Sequence, residues 1–326
     1  MFRALLLDRQ DDKFTATVTS LDESALPEGE VTVAVTYSSL NYKDGLAVAD
    51  KGKIVRSFPM VPGVDWAGTV ESSTSPSFKP GDRVILTGWG VGETYWGGMA
   101  EKARAKAEWL VKIPPGMDDR WAMSMGTAGL TAMMCVHALE ANGLRRDREV
   151  LVTGAAGGVG SIAVALLAKL GHKVVASTGR RELDPYLKSL GATAILDRAE
   201  LAKPVRPLES ERWCGAIDTV GSTTLANILA SMRRRGAVAA CGLAGGIDLP
   251  TTVMPFILRG VRLIGIDSSQ CPMQEREAAW RKLAALLPDG LPGDAVQTCG
   301  LGDLPRLAEA IVTGKVKGRV LVDVKK

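Results

Sequence analysis

The chain has 326 residues, of which 46% are hydrophobic and 23% charged; that composition is globular, long enough for two domains, and excludes a disordered or fibrous chain. Its 40 Lys and Arg against 36 Asp and Glu leave a formal net charge of +4, an excess too slight and scattered for a nucleic-acid-binding face but suited to an anionic ligand. Five cysteines without a Cys-x-x-Cys pair (Cys135, Cys214, Cys241, Cys271 and Cys299) read as reduced thiols of a cytoplasmic protein, no signal-peptide core follows Met1, and no apolar run is expected to span a membrane.

Residues 1 to about 120 read as β-rich. Val31 to Tyr37 is a strand by its β-branched content and alternation, and Lys79-Pro80-Gly81 is a turn leading into another strand ending near Leu86. Leu110 to Ile113 stops at Pro114-Pro115-Gly116. Short strands punctuated by turns predict a compact barrel-like domain. From about 121 the pattern changes. A helix over 121–141 leads to a strand at 149–153, a glycine-rich turn, and a second helix whose Ala163, Leu166, Leu167 and Leu170 share one face before Gly171. Strands at 173–177, 194–196, 215–218, 237–240 and 263–266 continue the alternation, with a helix closing at Tyr186–Gly191. Six strands separated by helices predict an α/β, doubly wound parallel sheet. A helix over 273–287 and a strand at 319–322 form a tail expected to return to the first domain.

The segment Val150 to Gly160 carries the chemistry. An aliphatic strand, a turn Thr153-Gly154-Ala155-Ala156-Gly157-Gly158-Val159-Gly160 and a helix form the local plan that aims backbone N–H groups at a pyrophosphate. A bare tight turn is the plainer alternative, but the six-strand context favours a dinucleotide. The same residues also read as the Thr-Gly-x-x-x-Gly-x-Gly of short-chain dehydrogenases. That reading fails: the motif lies mid-chain, and none of Tyr37, Tyr42, Tyr95 and Tyr186 has a lysine four residues on. The second strand ends Ser177-Thr178-Gly179-Arg180-Arg181, with no acid for ribose hydroxyls. Hydroxyls and arginine suit a 2′-phosphate, so NADPH is expected, one of the two arginines being a solvated helix-start residue. The only histidines are His137 and His172, and no Cys or His lies near residues 40 or 65. No metal is expected.

Four segments carry a resemblance: Ser38-Ser39-Leu40-Asn41-Tyr42-Lys43-Asp44, Phe58 to Asp65, Leu86-Thr87-Gly88-Trp89-Gly90-Val91-Gly92 and Thr251 to Arg259. They resemble zinc-free medium-chain dehydrogenases/reductases of the quinone oxidoreductase branch, most closely the bacterial acrylyl-CoA reductase (NADPH) group. The resemblance covers nearly the whole chain. It implies a GroES-like β-rich catalytic domain over 1–122, a Rossmann NADPH-binding domain over 123–265, a return to the first domain over 266–326, and a homodimer. Carried over by position, the cofactor contacts are Tyr42, Ala156, Gly157, Gly158, Val159, Gly160, Ser177, Thr178, Gly179, Arg180 and Arg198, with Leu243, Ile257 and Ser268 on the nicotinamide side. Asn41, Tyr42 and Asp44 are the catalytic candidates. Asn41 reads equally as a structural support of the Tyr42 loop, and Asp44 as a helix cap.

The resemblance implies reduction of acryloyl-CoA to propanoyl-CoA. Hydride adds to the β-carbon and the thioester enolate is protonated at the α-carbon. The alternatives are an NADPH:quinone reductase and a non-catalytic NADPH-binding protein. Two basic clusters, Lys51/Lys53/Arg56 and Lys315/Lys317/Arg319, are candidates for CoA phosphates, with solvated surface charge as the default for each member. Trp89, Tyr95 and Trp96 either wall an acyl pocket or pack in the core.

Overall fold

Strand Val31–Ser39 organises the first of two units in the computed structural model, which describes residues 1–204 and 206–326. Its Val31, Val33 and Val35 are wholly buried, and it pairs with three strands at once: Asp65–Ser73, Lys102–Ala105 and Arg319–Asp323. Two irregularities in its register against Asp65–Ser73 let the sheet bend around a core of Leu5, Leu7, Trp66, Leu86 and Val320. A separate hairpin, Phe2–Gln10 with Lys13–Leu21, turns through Asp11 and Asp12, both with positive φ, the arrangement of a two-residue primed turn. This unit comprises Met1–Thr127 and Ser268–Lys326.

The second unit, Ala128–Asp267, holds six parallel strands. In spatial order they are Ala194–Asp197, Lys173–Thr178, Glu149–Val152, Trp213–Asp218, Met232–Ala240 and Arg262–Gly265. Counted along the chain this is the order 3-2-1-4-5-6 of a dinucleotide-binding sheet, with its switch point between the first and fourth strands. The predicted alternation holds. The fifth strand begins at Met232, earlier than the pattern at 237–240 suggested, because Arg233 and Arg234 interrupt its apolar run.

Helix Asp119–Ala141 corrects one expectation. By length and hydropathy it is apolar enough to cross a membrane, yet 78% of its most apolar window is buried within the protein. It is also interrupted at Gly126, whose φ of 51° and ψ of −154° are not helical. A Cβ there would meet Arg319 Nη2, Asp65 Oδ2 and Ser39 Oγ within 2.9 Å, so the break is fitted to a polar cluster. Helix Tyr42–Val48 starts at Tyr42, which places Asp44 in the first turn rather than at the cap; Asn41 is the cap residue.

Candidate functional site

In the second unit the site is made of backbone. Strand Glu149–Val152 runs into Thr153, whose Oγ1 donates to Asp218 Oδ1 at 2.6 Å and accepts from Thr219 N–H at 3.1 Å. This anchors the turn to the neighbouring strand end. Gly154 takes φ 56°, and the chain folds back so tightly that a Cβ on Gly160 would lie 2.3 Å from Gly154 O. Gly157 caps helix Gly158–Lys169 with no side chain of its own. The first N–H groups of that helix therefore have no side-chain acceptor at the cap, the condition for holding an anion.

The end of the second strand closes on this turn. Arg180 Nη2 donates to Ala156 O at 3.4 Å, and Arg180 N–H to Thr178 Oγ1 at 3.1 Å. Arg198 lies against Gly179, where a Cβ would meet its Nε at 2.3 Å. Burial lowers the Arg180 pKa; the charge of Glu182 opposes this and that of Arg198 adds to it. Thus Ala156–Gly160, Ser177–Arg180 and Arg198 come together. Arg181 instead faces Asp184 at 3.3 Å, largely in water. Leu243 and Ile257 are strongly exposed in the same unit. A cradle that excludes side chains, flanked by two arginines and no carboxylate at the strand end, fits a dinucleotide carrying a 2′-phosphate.

In the first unit the site is made of side chains. Asp65 is fully buried. Its Oδ1 accepts from Ser39 N–H and Oγ at 3.2 and 2.6 Å, and its Oδ2 from Asn41 Nδ2 and Thr127 N–H at 3.0 and 2.7 Å. Arg319, also buried, donates from Nη1 to Asn41 Oδ1 at 3.2 Å, from Nη2 to Ser39 Oγ at 2.7 Å and from Nε to Ser124 O at 3.0 Å. Asp44 accepts from Asn41 N–H and Val64 N–H, each at 2.9 Å. Burial, and then the charge of Asp65, raises the Asp44 pKa to about 7. Asn41 is thus locked on both ends of its amide, and the carboxyl of Asp44 faces inward. Tyr42, beside them, is 39% exposed, and its hydroxyl makes no hydrogen bond among the described residues. Lys43 Nζ pairs with Glu93 Oε1 at 2.9 Å.

Two further residues belong to this region: Trp89, expected to wall an acyl pocket or pack in the core, and Arg276, which had no role in the sequence reading. Trp89 adopts φ 59° between two glycines of positive φ. Its N–H donates to Ser269 O at 3.0 Å, and the buried Arg276 guanidinium lies 4.9 Å from its ring centroid. Arg276 also donates to Thr87 O at 2.6 Å and to Ser268 O at 3.2 Å, so Ser268 is held by its carbonyl to the Trp89 loop. Trp89, Tyr95 and Trp96 pack against the core, with Trp89 stacked on Trp109 at 6.4 Å. Among the described residues, no group of three or more His, Cys, Asp or Glu side chains is placed to hold a metal ion.

A β-rich unit with a buried polar cluster, joined to a doubly wound unit with a glycine cradle, is the plan of an oxidoreductase class, and the chain belongs to it: the medium-chain dehydrogenase/reductase family. The alcohol dehydrogenase GroES-like domain matches residues 27–115, and the zinc-binding dehydrogenase domain residues 158–286. Over 99% of both chains it is 58% identical to a probable acrylyl-CoA reductase AcuI of Escherichia coli. It is 53% identical, again over 99% of both, to the acrylyl-CoA reductase AcuI of Ruegeria pomeroyi. The crystal structure of the yhdH oxidoreductase from Salmonella enterica in complex with NADP matches at TM-score 0.95 and 56% identity, covering 99% of each chain. The expected architecture, GroES-like plus Rossmann-type, stands on these matches.

Proposed function

We propose that the protein is an NADPH-dependent reductase that converts acryloyl-CoA to propanoyl-CoA. The observation that carries this is the near-complete likeness to two acrylyl-CoA reductases, with no gap at either unit. The cradle supports the choice of cofactor. N–H groups of residues 158–160 hold the pyrophosphate, Arg180 and Arg198 hold the 2′-phosphate, and Ser177, Thr178 and Gly179 line the ribose. Tyr42, Leu243, Ile257 and Ser268 line the nicotinamide. When bound, NADPH supplies the hydride that adds to the β-carbon.

The chain's own residues orient the alkene and stabilise the thioester oxygen as it gains charge. One positioned donor contributes about 3 kcal/mol to such a step. The Asn41 amide N–H groups are engaged and Lys43 has one N–H on Glu93, which leaves the Tyr42 hydroxyl, the other Lys43 N–H groups and backbone N–H groups. Tyr42 orders nicotinamide and substrate with its ring; Asn41 and Asp44 are positioning residues that hold the start of the Tyr42 helix, Asn41 to Asp65 and Asp44 to Val64 N–H. Polarisation comes from hydrogen bonds rather than from a metal, a reading supported by the dispersed Cys and His side chains.

The protein acts as a cytoplasmic homodimer in this reading. Strand Arg262–Gly265 is a sheet edge, and the exposed Leu243, Ile247, Val253, Ile257, Leu258 and Leu263 lie near it in sequence. Such an edge and apolar surface are suited to a second copy. The test is NADPH oxidation with acryloyl-CoA beside a simple quinone. Faster turnover of the quinone, or tight NADPH binding with no turnover of either, overturns the proposal.

A further inference from the structure

The two basic clusters look alike in the sequence and part company in the structure. In the second, Arg319 is buried among Ser39, Asn41 and Ser124, and Lys317 Nζ bonds Asp294 at 3.0 Å. Of that cluster only Lys315 is an exposed cation without an ion pair among the described residues. In the first, Lys51 pairs with Glu309. Lys53 and Arg56 remain exposed, and neither has an ion-pair partner among the described residues.

These two cations share a cleft of about 450 Å³ with Arg9, Asp50, Val55 and Phe58. Arg9 Nη2 donates to Asp50 Oδ1 at 2.5 Å, and its guanidinium lies 5.2 Å from the Phe58 ring centroid. Arg9 and Asp50 offset each other, so Lys53 and Arg56 leave the cleft doubly positive. A cleft of ligand size, with aromatic and aliphatic walls and uncompensated cations, suits a group that is both planar and phosphorylated. Its place also fits. Ala47 of helix Tyr42–Val48 lines it, and Arg56 N–H donates to Glu93 O at 2.9 Å, the same residue that holds Lys43. The helix rises roughly 9 Å from Tyr42 to Val48, a span that a pantetheine arm bridges.

We propose that this cleft binds the adenosine-phosphate end of the CoA thioester, with the acyl end directed toward Tyr42. The inference rests on the reading of the protein as an enoyl-CoA reductase. The test compares wild type with Lys53→Gln/Arg56→Gln on two substrates, acryloyl-CoA and the acryloyl thioester of N-acetylcysteamine, which lacks the nucleotide. The double variant raises KM for acryloyl-CoA about tenfold and leaves KM for the truncated thioester and for NADPH unchanged. KM for acryloyl-CoA also rises with salt in wild type and is flat in the variant. Lys173→Gln/Lys188→Gln, two exposed lysines of the other unit, controls for net charge and behaves as wild type. An unchanged KM for acryloyl-CoA, or equal rises on both thioesters, overturns the assignment and leaves the activity standing. A wild-type enzyme idle on acryloyl-CoA overturns both.

Discussion

The glycine cradle of the second unit and the Asp65 cluster of the first are built in opposite ways. The cradle is backbone packed on backbone within seven consecutive residues, 154–160. The Asp65 cluster is side chains packed on side chains, drawn from positions 39, 41, 44, 65 and 319. The first therefore fails when an atom is added. The second fails when a charge or a hydrogen bond is removed.

Arg319→Met tests the second statement most severely. It leaves Asp65 buried without its nearby cation, and should cost about 3–5 kcal/mol of stability; urea unfolding measures it, and a loss under 1 kcal/mol, within the range of surface ion pairs, would refute the picture. Asp44 tests the same cluster through pH. Its carboxyl titrates near 7 in the folded chain against an ordinary 3.8. Between those values the folded chain keeps a proton that the unfolded chain has released, so stability falls as pH rises through that window. Asp44→Asn should reduce this fall by about 4 kcal/mol, read as denaturation midpoints at several pH values. Parallel pH curves for the two proteins would contradict it.

On the cradle side, Gly160→Ala forces a carbon against Gly154 O and should weaken NADPH binding about tenfold or more through 1–3 kcal/mol of overpacking. Calorimetric titration checks it, with unfolding of the apoprotein as the control for global damage. Arg180→Gln should lower the preference for NADPH over NADH about tenfold, seen in the ratio of kcat/KM values. The smallest effect is expected at Tyr42→Phe, within about threefold in kcat/KM, against about tenfold for Tyr42→Ala. Wild-type kinetics in both variants would remove Tyr42 from the site.

What was legible in the sequence follows the same division. The cradle and the six-strand alternation announce themselves because their signals are local: a run, a glycine spacing, a helix face within a dozen residues. The Asp65 cluster does not, because nothing in the neighbourhood of residue 319 says that it will face residue 41. Arg319 read as one of three surface cations, yet strand pairing of Leu321 with Ser39 turns it inward. Asp44 read as a cap because an acid near a helix start usually is one. It does cap, as the third helical residue whose carboxylate accepts from Asn41 N–H, and its other oxygen reaches Val64 N–H, a partner twenty residues away that the local pattern does not show. Arg276 gave no signal at all, since its partners Thr87 and Ser268 are contributed by separate stretches of chain.

Arg319 also sets an order of assembly. Residues 128–267 leave the ribosome as one uninterrupted run, so the dinucleotide unit can close while synthesis continues. The Tyr42 loop cannot, because Ser39 and Asn41 must wait for a partner carried by the last strand of the chain. A nascent chain halted at residue 318 thus holds the whole dinucleotide unit and lacks the residue that fastens the loop, so the loop is fastened after the cradle can close.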